Sequence, residues 1–305
     1  MMSPNSTAFR HNAFVYESQD QYVARTVAFL REGLEEGEGG LVVNTRPRLA
    51  DVRDALGPDA EPVVFIDVDS VYSRPARTLA AYNQAYVELL REVPVVRALA
   101  EIQFGPDSRE WDEWIGFEAI LNRSFAHIPT WVWCTYNASE LPDRLLKAAW
   151  RTHSHVLADD SWTQSERFED ATELLRELTR EPDQLSGLRS ISYGSDLETF
   201  RERLARELAA ENTPEPQVLD MLIAGSEVAT NALEHGRGIE EVRVGRAGGR
   251  FVCEIVDRGE GFDDPAAGYL APRAGVGTGL WVARQLTWRI EFFRSPVGFT
   301  ARIWL

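Results

Sequence analysis

The stretch Ser226–Gly236, S-E-V-A-T-N-A-L-E-H-G, decides how the second half of this chain is interpreted. Glu227, Asn231 and His235 are spaced four residues apart, so a helix would bring them to one face. Asparagine is mildly unfavourable inside a helix, and its position between an acid and an imidazole therefore needs a reason. Its neutral oxygen suits Mg²⁺, and a glutamate can act as a base beside a phosphate. The pattern predicts a helix over Val218–His235 that carries a polar site.

Two glycine-rich segments follow that helix. The run D-R-G-E-G-F, Asp257–Phe262, comes directly after the apolar run F-V-C-E-I-V. A carboxylate at the end of a buried strand can accept a hydrogen bond from the amino group of adenine, and Gly259 and Gly261 would let the backbone approach the flat ring closely. The run G-V-G-T-G-L, Gly275–Leu280, opens a predicted helix over Thr278–Leu286. Its backbone N–H groups would cradle a phosphate.

The second glycine run differs from two common phosphate-binding loops. No strand-helix-strand unit surrounds it, so it is not a dinucleotide fingerprint. No lysine follows its glycines, which excludes a Walker loop; Lys147 is the only lysine of the chain. Further on, Gly298-Phe299-Thr300 opens the last predicted strand, where the Thr300 hydroxyl would support the carboxylate of Asp257.

Taken in order, these segments resemble the GHKL (Bergerat) family of ATP-binding domains over residues 188–305. The resemblance implies an α/β sandwich that binds ATP and Mg²⁺, with Glu227 as general base, Asn231 holding the metal, Asp257 contacting adenine and residues 262–274 forming a lid. We expect its strands to form a mixed sheet with helices on one face. The residues expected at the nucleotide are Asn231, His235, Asp257, Gly259, Gly261, Gly275, Gly277, Thr278, Gly279, Leu280 and Thr300.

The first half alternates apolar runs with helical patterns. The clearest runs are residues 40–45 (G-L-V-V-N-T), 62–68 (P-V-V-F-I-D-V) and 130–136 (T-W-V-W-C-T-Y). Continuous apolar strands separated by helices indicate a parallel sheet covered on both faces. We therefore predict a doubly wound α/β domain over residues 1–157 and a linker helix within 158–187. The apolar stripe of that helix fits either docking onto a domain or half of a dimeric coiled coil.

The first half resembles the MEDS sensory domain of bacterial regulators. The residues that carry this are 11–18 (H-N-A-F-V-Y-E-S), 29–38 (F-L-R-E-G-L-E-E-G-E) and 151–155 (R-T-H-S-H). Such domains are similar to RecA-type ATPase sheets without the phosphate loop, so we predict no ATP hydrolysis by this half. His11, Tyr16, His153 and His155 either line a pocket for an unidentified small-molecule signal or are ordinary caps and core-edge polar groups.

Composition excludes several classes of partner. The net charge of −16 argues against nucleic acids and anionic membranes, which require clustered basic residues. No apolar run approaches the ~20 residues that span a bilayer, and the first residues carry no signal-peptide pattern, so we expect a cytoplasmic protein. The two cysteines, Cys134 and Cys253, lie in apolar runs and are predicted to be buried free thiols. No Cys/His spacing resembles a zinc site.

The compact second half looks like the anti-sigma-factor serine/threonine kinases. That resemblance implies a bacterial signalling regulator that phosphorylates an anti-anti-sigma (STAS-type) partner, binds a sigma factor and is controlled by the sensory half. Three alternatives stay open. The first is a histidine kinase with His153 or His155 as phosphoacceptor, the second a non-catalytic ATP-dependent switch that binds a partner, and the third an interaction module with a degenerate ATP site.

Overall fold

The computed structural model describes residues 9–105, 108, 110–179, 185–193, 196–270, 277–295 and 298–305. Internal contacts divide the chain into two units, Met1–Leu174 and Leu175–Leu305. The predicted segments 1–157, 158–187 and 188–305 divide the chain more finely, and their boundaries stay predictions.

The first unit alternates strands and helices. Its strands are β1 (Arg10–Tyr16), β2 (Gly39–Asn44), β3 (Val63–Asp67), β4 (Val96–Ala100), β5 (Thr130–Asn137), β6 (His155–Ala158) and β7 (Ser161–Gln164). Its helices are α1 (Gln19–Glu35), α2 (Arg46–Leu56), α3 (Val68–Val71), α4 (Pro75–Leu89), α5 (Trp111–Ser124) and α6 (Asp143–Thr152). Helix α7 (Ala171–Thr179) spans the boundary between the units.

The strands of the first unit form one sheet in the order β3-β2-β4-β5-β1-β6-β7. Neighbouring strands are parallel, apart from the antiparallel pair β6 and β7. This confirms the predicted doubly wound sheet. The sheet continues past Leu157, because Asp159 and Asp160 both have positive φ, 48° and 58°. Two such residues make the tight turn that returns one strand against its neighbour.

Strand β5 is covered on both faces of the sheet, which explains why its own sequence is continuously apolar. Trp131 and Trp133 point to the side of α1, where both rings pack on Phe29 at centroid distances of 5.2 and 4.0 Å. Cys134 and Tyr136 point to the opposite side, which α5 and α6 cover; both are buried. A strand buried on both faces has no polar positions to alternate with.

The second unit is a sheet with helices on one face. Its strands are β8 (Arg189–Ile191), β9 (Ile239–Ala247), β10 (Arg250–Asp257), β11 (Arg289–Ser295) and β12 (Gly298–Trp304). Its helices are α8 (Leu197–Ala210), α9 (Glu215–Glu234) and α10 (Thr278–Leu286). Buried apolar side chains of all three helices, including Phe200, Val228 and Ala283, share one core with the strand residues Val242 and Ile255.

The expected mixed sheet is wrong. The strand order is β11-β12-β10-β9-β8, and every neighbouring pair is antiparallel within the described residues. The connection through α10 does make β10 and β11 run in the same direction. They are not neighbours, however, because β12 returns between them and pairs with both.

Among the helices in the described ranges, none is both long enough and apolar enough to cross a bilayer.

Candidate nucleotide-binding site

A pocket of about 670 Å³ opens beside α9, the end of β10 and the start of α10 in the second unit. This volume lies within the range of small-molecule sites in proteins. Its lining residues are Val228, Asn231, Ala232, His235, Gly236, Arg237, Ile255, Asp257, Gly259, Glu260, Gly261, Phe262, Gly268, Gly277, Gly279, Leu280, Phe292, Phe299 and Ala301.

The carboxylate of Asp257 is held between two glycines. The Gly259 N–H donates to Asp257 Oδ1 at 2.7 Å. A Cβ atom on Gly236 would lie 2.5 Å from Asp257 Oδ2, and one on Gly259 would lie 2.9 Å from Oδ1. Both positions therefore require glycine for this carboxylate to stay where it is.

The backbone also turns Asp257 toward the pocket. The pairing of β9 with β10 shifts register between Val256 and Asp257, so that Asp257 pairs with Ile239. Such a bulge re-aims the side chain next to it. Burial raises the pKa of Asp257, and the hydrogen bond from the Gly259 N–H lowers it in part. The result is a desolvated carboxyl group at the pocket wall, 9% exposed, that can accept a hydrogen bond from a ligand.

Three phenylalanines form an aromatic wall of the pocket. The ring of Phe262 lies 4.8 Å from that of Phe292 and 5.1 Å from that of Phe299. Phe292 and Phe299 are nearly parallel, at 8° and 6.0 Å. Gly261 has a φ of 65°, and any side chain on it would collide with the Phe299 ring. An apolar, aromatic wall beside a carboxylate suits a flat heteroaromatic ring with an amino group.

The polar face of α9 reaches the pocket in part. Asn231 and His235 both line it. Glu227, one turn earlier, is not a lining residue, and its carboxylate lies against Gly279 so closely that a side chain there would clash. Arg237, just after the helix, adds a positive charge to the lining and lies 3.6 Å from the carboxylate of Glu260.

The start of α10 faces the same pocket. Gly277 caps this helix in the left-handed conformation, at φ 80° and ψ 26°. A glycine has no side chain with which to satisfy the first N–H groups of the helix, so these donors are open to an anion. Gly279 and Leu280 line the pocket as predicted, whereas Thr278 is exposed and does not line it. Gly275 lies outside the described residues.

The segment predicted as a lid is described as far as residue 270. Its described part is fixed to α10, because Arg284 Nε donates to the carbonyl oxygen of Ala267 at 2.6 Å and the Arg284 guanidinium stacks 4.0 Å over Tyr269. Gly268 packs so tightly on Leu280 that a Cβ atom would lie 2.7 Å from its carbonyl oxygen. Residues 271–274 of the predicted lid lie outside the described chain.

Thr300 is not brought to the pocket. It pairs with Val256 in the middle of the sheet, and its neighbours Phe299 and Ala301 are the residues that line the pocket. Because side chains alternate along a strand, Thr300 points to the other face. Thr300 therefore lies on the strand that was predicted to border the pocket, but its neighbour Phe299 is the residue that faces it.

Several lining residues were not predicted, namely Arg237, Glu260, Phe292 and Phe299, and Phe262 was predicted only as the first residue of the lid. The sequence indicates two of these positions. Phe262 follows the second glycine of D-R-G-E-G-F, and Phe292 belongs to the apolar side of the hairpin β11–β12, which is the side expected to face the helices.

Among the four described residues that were candidates for a sensory pocket in the first unit, only His11 and His153 are in contact with each other. The rings of His11 and His153 lie 4.0 Å apart. Tyr16 is on the opposite face of the sheet, where its hydroxyl donates to Glu101 at 2.9 Å. His155 belongs to β6 and contacts the Ser154 hydroxyl through Nδ1 at 3.1 Å.

A glycine-cradled carboxylate, an aromatic wall and an open helix N-terminus define the second unit as a nucleotide-binding α/β sandwich, and the donor set fits an adenine nucleotide with a Mg²⁺ ion. Residues 194–304 match the family described as the histidine kinase-like ATPase domain, and residues 10–154 match MEDS, the MEthanogen/methylotroph, DcmR Sensory domain. The chain thus joins a MEDS domain to a histidine-kinase-like, ATP-binding domain and is a signalling regulator. No curated protein matches it.

Proposed function

We propose that the second unit is a serine/threonine protein kinase of the anti-sigma-factor type, which uses ATP and Mg²⁺ to phosphorylate a hydroxyl of a STAS-type anti-anti-sigma protein. The observation that carries the proposal is the arrangement around one pocket: Asp257 at the adenine end and the open N-terminus of α10 at the phosphate end, with Asn231 beside them. In this assignment Asn231 holds the metal ion, which neutralises phosphate charge when bound.

Glu227 is assigned as the base that accepts the proton of the partner's hydroxyl. Its carboxylate lies against Gly279, in the first turn of α10, where the phosphates are expected. It is not part of the pocket lining, which suits a group that meets an incoming protein side chain better than one that binds the nucleotide. General bases of this kind contribute about 10²–10⁴ in rate.

The histidine-kinase alternative is less well supported. His153 is completely buried, so it has no path to the phosphate of a nucleotide bound elsewhere. His155 lies in the short strand β6. A phosphoacceptor needs an exposed position, whereas His153 is buried and His155 is half-buried within a strand.

The test is phosphate transfer by the full chain. Labelled ATP, Mg²⁺ and a recombinant STAS-type protein are incubated with wild type, Glu227→Gln or Glu215→Gln. Glu215 is an exposed acid in the first turn of the same helix and serves as the matched control. We expect label on a serine or threonine of the partner, a loss of at least about 100-fold in rate for Glu227→Gln, unchanged nucleotide affinity, and normal activity of the control.

Three outcomes would contradict the kinase assignment. Full transfer by Glu227→Gln would remove its proposed base. Acid-labile label on the chain itself would favour a histidine kinase. ATP-dependent binding of the partner with no transfer would favour the non-catalytic switch.

A further inference from the structure

A cluster of four buried side chains in the first unit has no role in the proposed kinase function. His11, Glu118, Cys134 and His153 each offer one ligand atom, and these atoms all lie within 4.8 Å of one another. None of the four residues is more than 4% exposed.

Four separate elements bring the cluster together. His11 is on β1, Cys134 on the neighbouring strand β5, Glu118 on α5, and His153 directly follows α6. The pairing of β1 with β5 matches His11 with Val132 and Ala13 with Cys134, so the imidazole and the thiol point to the same face of the sheet. Helices α5 and α6 bring their two ligands to that face.

The distances suit a tetrahedral ion. His11 Nε2 lies 3.0 Å from Glu118 Oε2 and 3.1 Å from Cys134 Sγ, and His153 Nε2 lies 3.4 Å from the same carboxylate oxygen. Zinc bonds of about 2.0–2.3 Å with tetrahedral angles place ligand atoms roughly 3.3–3.8 Å apart. To hold such an ion, the three close pairs would lengthen by a few tenths of an ångström, and any pair near the 4.8 Å limit of the cluster would shorten.

In their neutral form, both imidazoles turn the lone pair of Nε2 toward the centre. The Nδ1–H of His153 donates to the carbonyl oxygen of Ala149 at 3.0 Å, and a carbonyl can only accept. Asn122 donates its amide to the carbonyl oxygen of Thr152 at 2.8 Å, which leaves its Oδ1 to accept from the Nδ1–H of His11 at 3.1 Å. Hydrogen bonds of this kind orient metal-binding histidines and fix their tautomer.

The carboxylate is oriented in the same way. The Tyr136 hydroxyl donates to Glu118 Oε1 at 3.4 Å, while Oε2 faces the two imidazoles. Among the residues that the structure describes, neither Glu118 Oε2 nor His153 Nε2 makes a hydrogen bond of acceptable geometry. Buried acceptors that face each other in this way lack a cation or a proton between them.

We propose that His11, Glu118, Cys134 and His153 bind one divalent transition-metal ion of the zinc class inside the MEDS domain. A carboxylate and a thiolate together neutralise the ion, so the buried site carries no net charge. Two nitrogens, one sulfur and one oxygen fill a tetrahedron without leaving an open position, which is typical of a structural site. The ion ties α5 and α6 to the centre of the sheet.

Metal binding by the cluster should release a proton. Burial raises the pKa of the Cys134 thiol, so an ion must displace the thiol proton to bind the sulfur, and we expect one proton to be released for each ion bound near neutral pH.

The full chain, purified without chelators, is the material for the test. Its zinc content is measured by elemental analysis. The protein is then stripped with a chelator and titrated with Co²⁺, whose thiolate charge-transfer band in the near ultraviolet reports a sulfur ligand. We expect about one zinc ion per chain, the charge-transfer band, visible bands of tetrahedral intensity, and loss of all cobalt bands when Zn²⁺ is added. Co²⁺ bound near Asn231 gives no such sulfur band.

Matched variants identify the ligands. Cys134→Ser should lose the charge-transfer band and Cys253→Ser should keep it, since both cysteines are buried and free. His153→Gln should lose binding, while His127→Gln, at an exposed histidine, should not.

Absence of zinc, together with no sulfur band from stripped wild-type protein that circular dichroism shows to be folded, would overturn the proposal. A band that depended on Cys253 would overturn it as well. The wild-type measurements decide the question even if a ligand variant fails to fold.

Discussion

Asp257 Oδ2 lies 2.5 Å from the point where a Cβ atom on Gly236 would be. The end of α9 and the end of β10 thus pack against each other at the pocket wall, with no room for a methyl group. Gly236→Ala should displace the carboxylate and weaken ADP·Mg²⁺ binding at least about tenfold, or ~1.4 kcal/mol, by calorimetry. The control is Gly225→Ala within α9, away from the pocket lining, where the new methyl would lie 3.1 Å from the end of the Leu204 side chain and 3.5 Å from the Phe200 ring. Equal affinity of both variants would contradict the assignment.

Asp257→Asn should bind nucleotide more weakly and yet be more stable than wild type. Burial raises the pKa of Asp257, so the folded state favours the protonated form. The stability that this raised pKa contributes is fully present below the pKa that Asp257 has in the unfolded chain. It is lost as the pH rises through the higher pKa that Asp257 has in the folded state. The excess thermal stability of Asp257→Asn should therefore be largest near neutral pH and shrink on acidification. An excess that is independent of pH would show that the carboxylate is not the cause.

The face of the second sheet opposite the helices contains a buried ion network, and breaking it should destabilise this unit. Glu254, 1% exposed, accepts from Arg302 Nε at 2.6 Å and lies 2.6 Å from Arg243 Nη2. Glu254→Ala would leave Arg302 buried without this partner, and we expect a loss of about 3 kcal/mol in the free energy of unfolding. Glu241→Ala removes a half-exposed acid from the same sheet and should cost less than about 1 kcal/mol. Urea titration of both variants measures the difference, and similar losses would argue against the network.

Glu101 connects the ends of several strands in the first unit. It accepts hydrogen bonds from Tyr16 at 2.9 Å, from Thr135 at 3.2 Å and from Asn44 at 3.3 Å, and it forms an ion pair with Arg48. Glu101→Gln would place an amide NH₂ group among hydrogen-bond donors that need an acceptor. We therefore expect the free energy of unfolding to fall by about 1–3 kcal/mol.

The control for that substitution is Glu140→Gln. Glu140 also pairs with Arg48, at 3.5 Å, but its side chain is 67% exposed. Thermal unfolding followed by circular dichroism should leave this control unchanged. If Glu101→Gln had the same thermal unfolding midpoint as the control, burial of the Glu101 carboxylate would add nothing to stability.

Periodicity and glycine placement were enough to predict much of the fold. The helix Thr278–Leu286 has the predicted bounds, and α9 ends within one residue of the prediction. Spacings of four residues and buried apolar runs are properties of single elements, and a sequence shows them directly. The antiparallel sheet was missed because strand pairing depends on where β12 inserts, which no local pattern records.

The candidate site was predictable to the same extent. Asp257 and the glycines at 259, 261, 277 and 279 meet at one pocket because each belongs to a short motif. Phe292 and Phe299 were missed because their contribution depends on sheet register. The buried cluster around Glu118 was invisible for a similar reason: its members come from four elements, so the compact spacing expected of a zinc site never occurs.

The position of β12 has a consequence for biosynthesis. This strand is the last along the described chain, and in the sheet it lies between β10 and β11, with its backbone hydrogen bonds shared by both. On the ribosome, the seven strands of the sensory sheet are available once residue 164 has emerged, whereas the nucleotide pocket has no Phe299 and no complete sheet until β12 has left the exit tunnel. A translating ribosome therefore exposes every described strand of the first sheet before the pocket of the second unit can be completed.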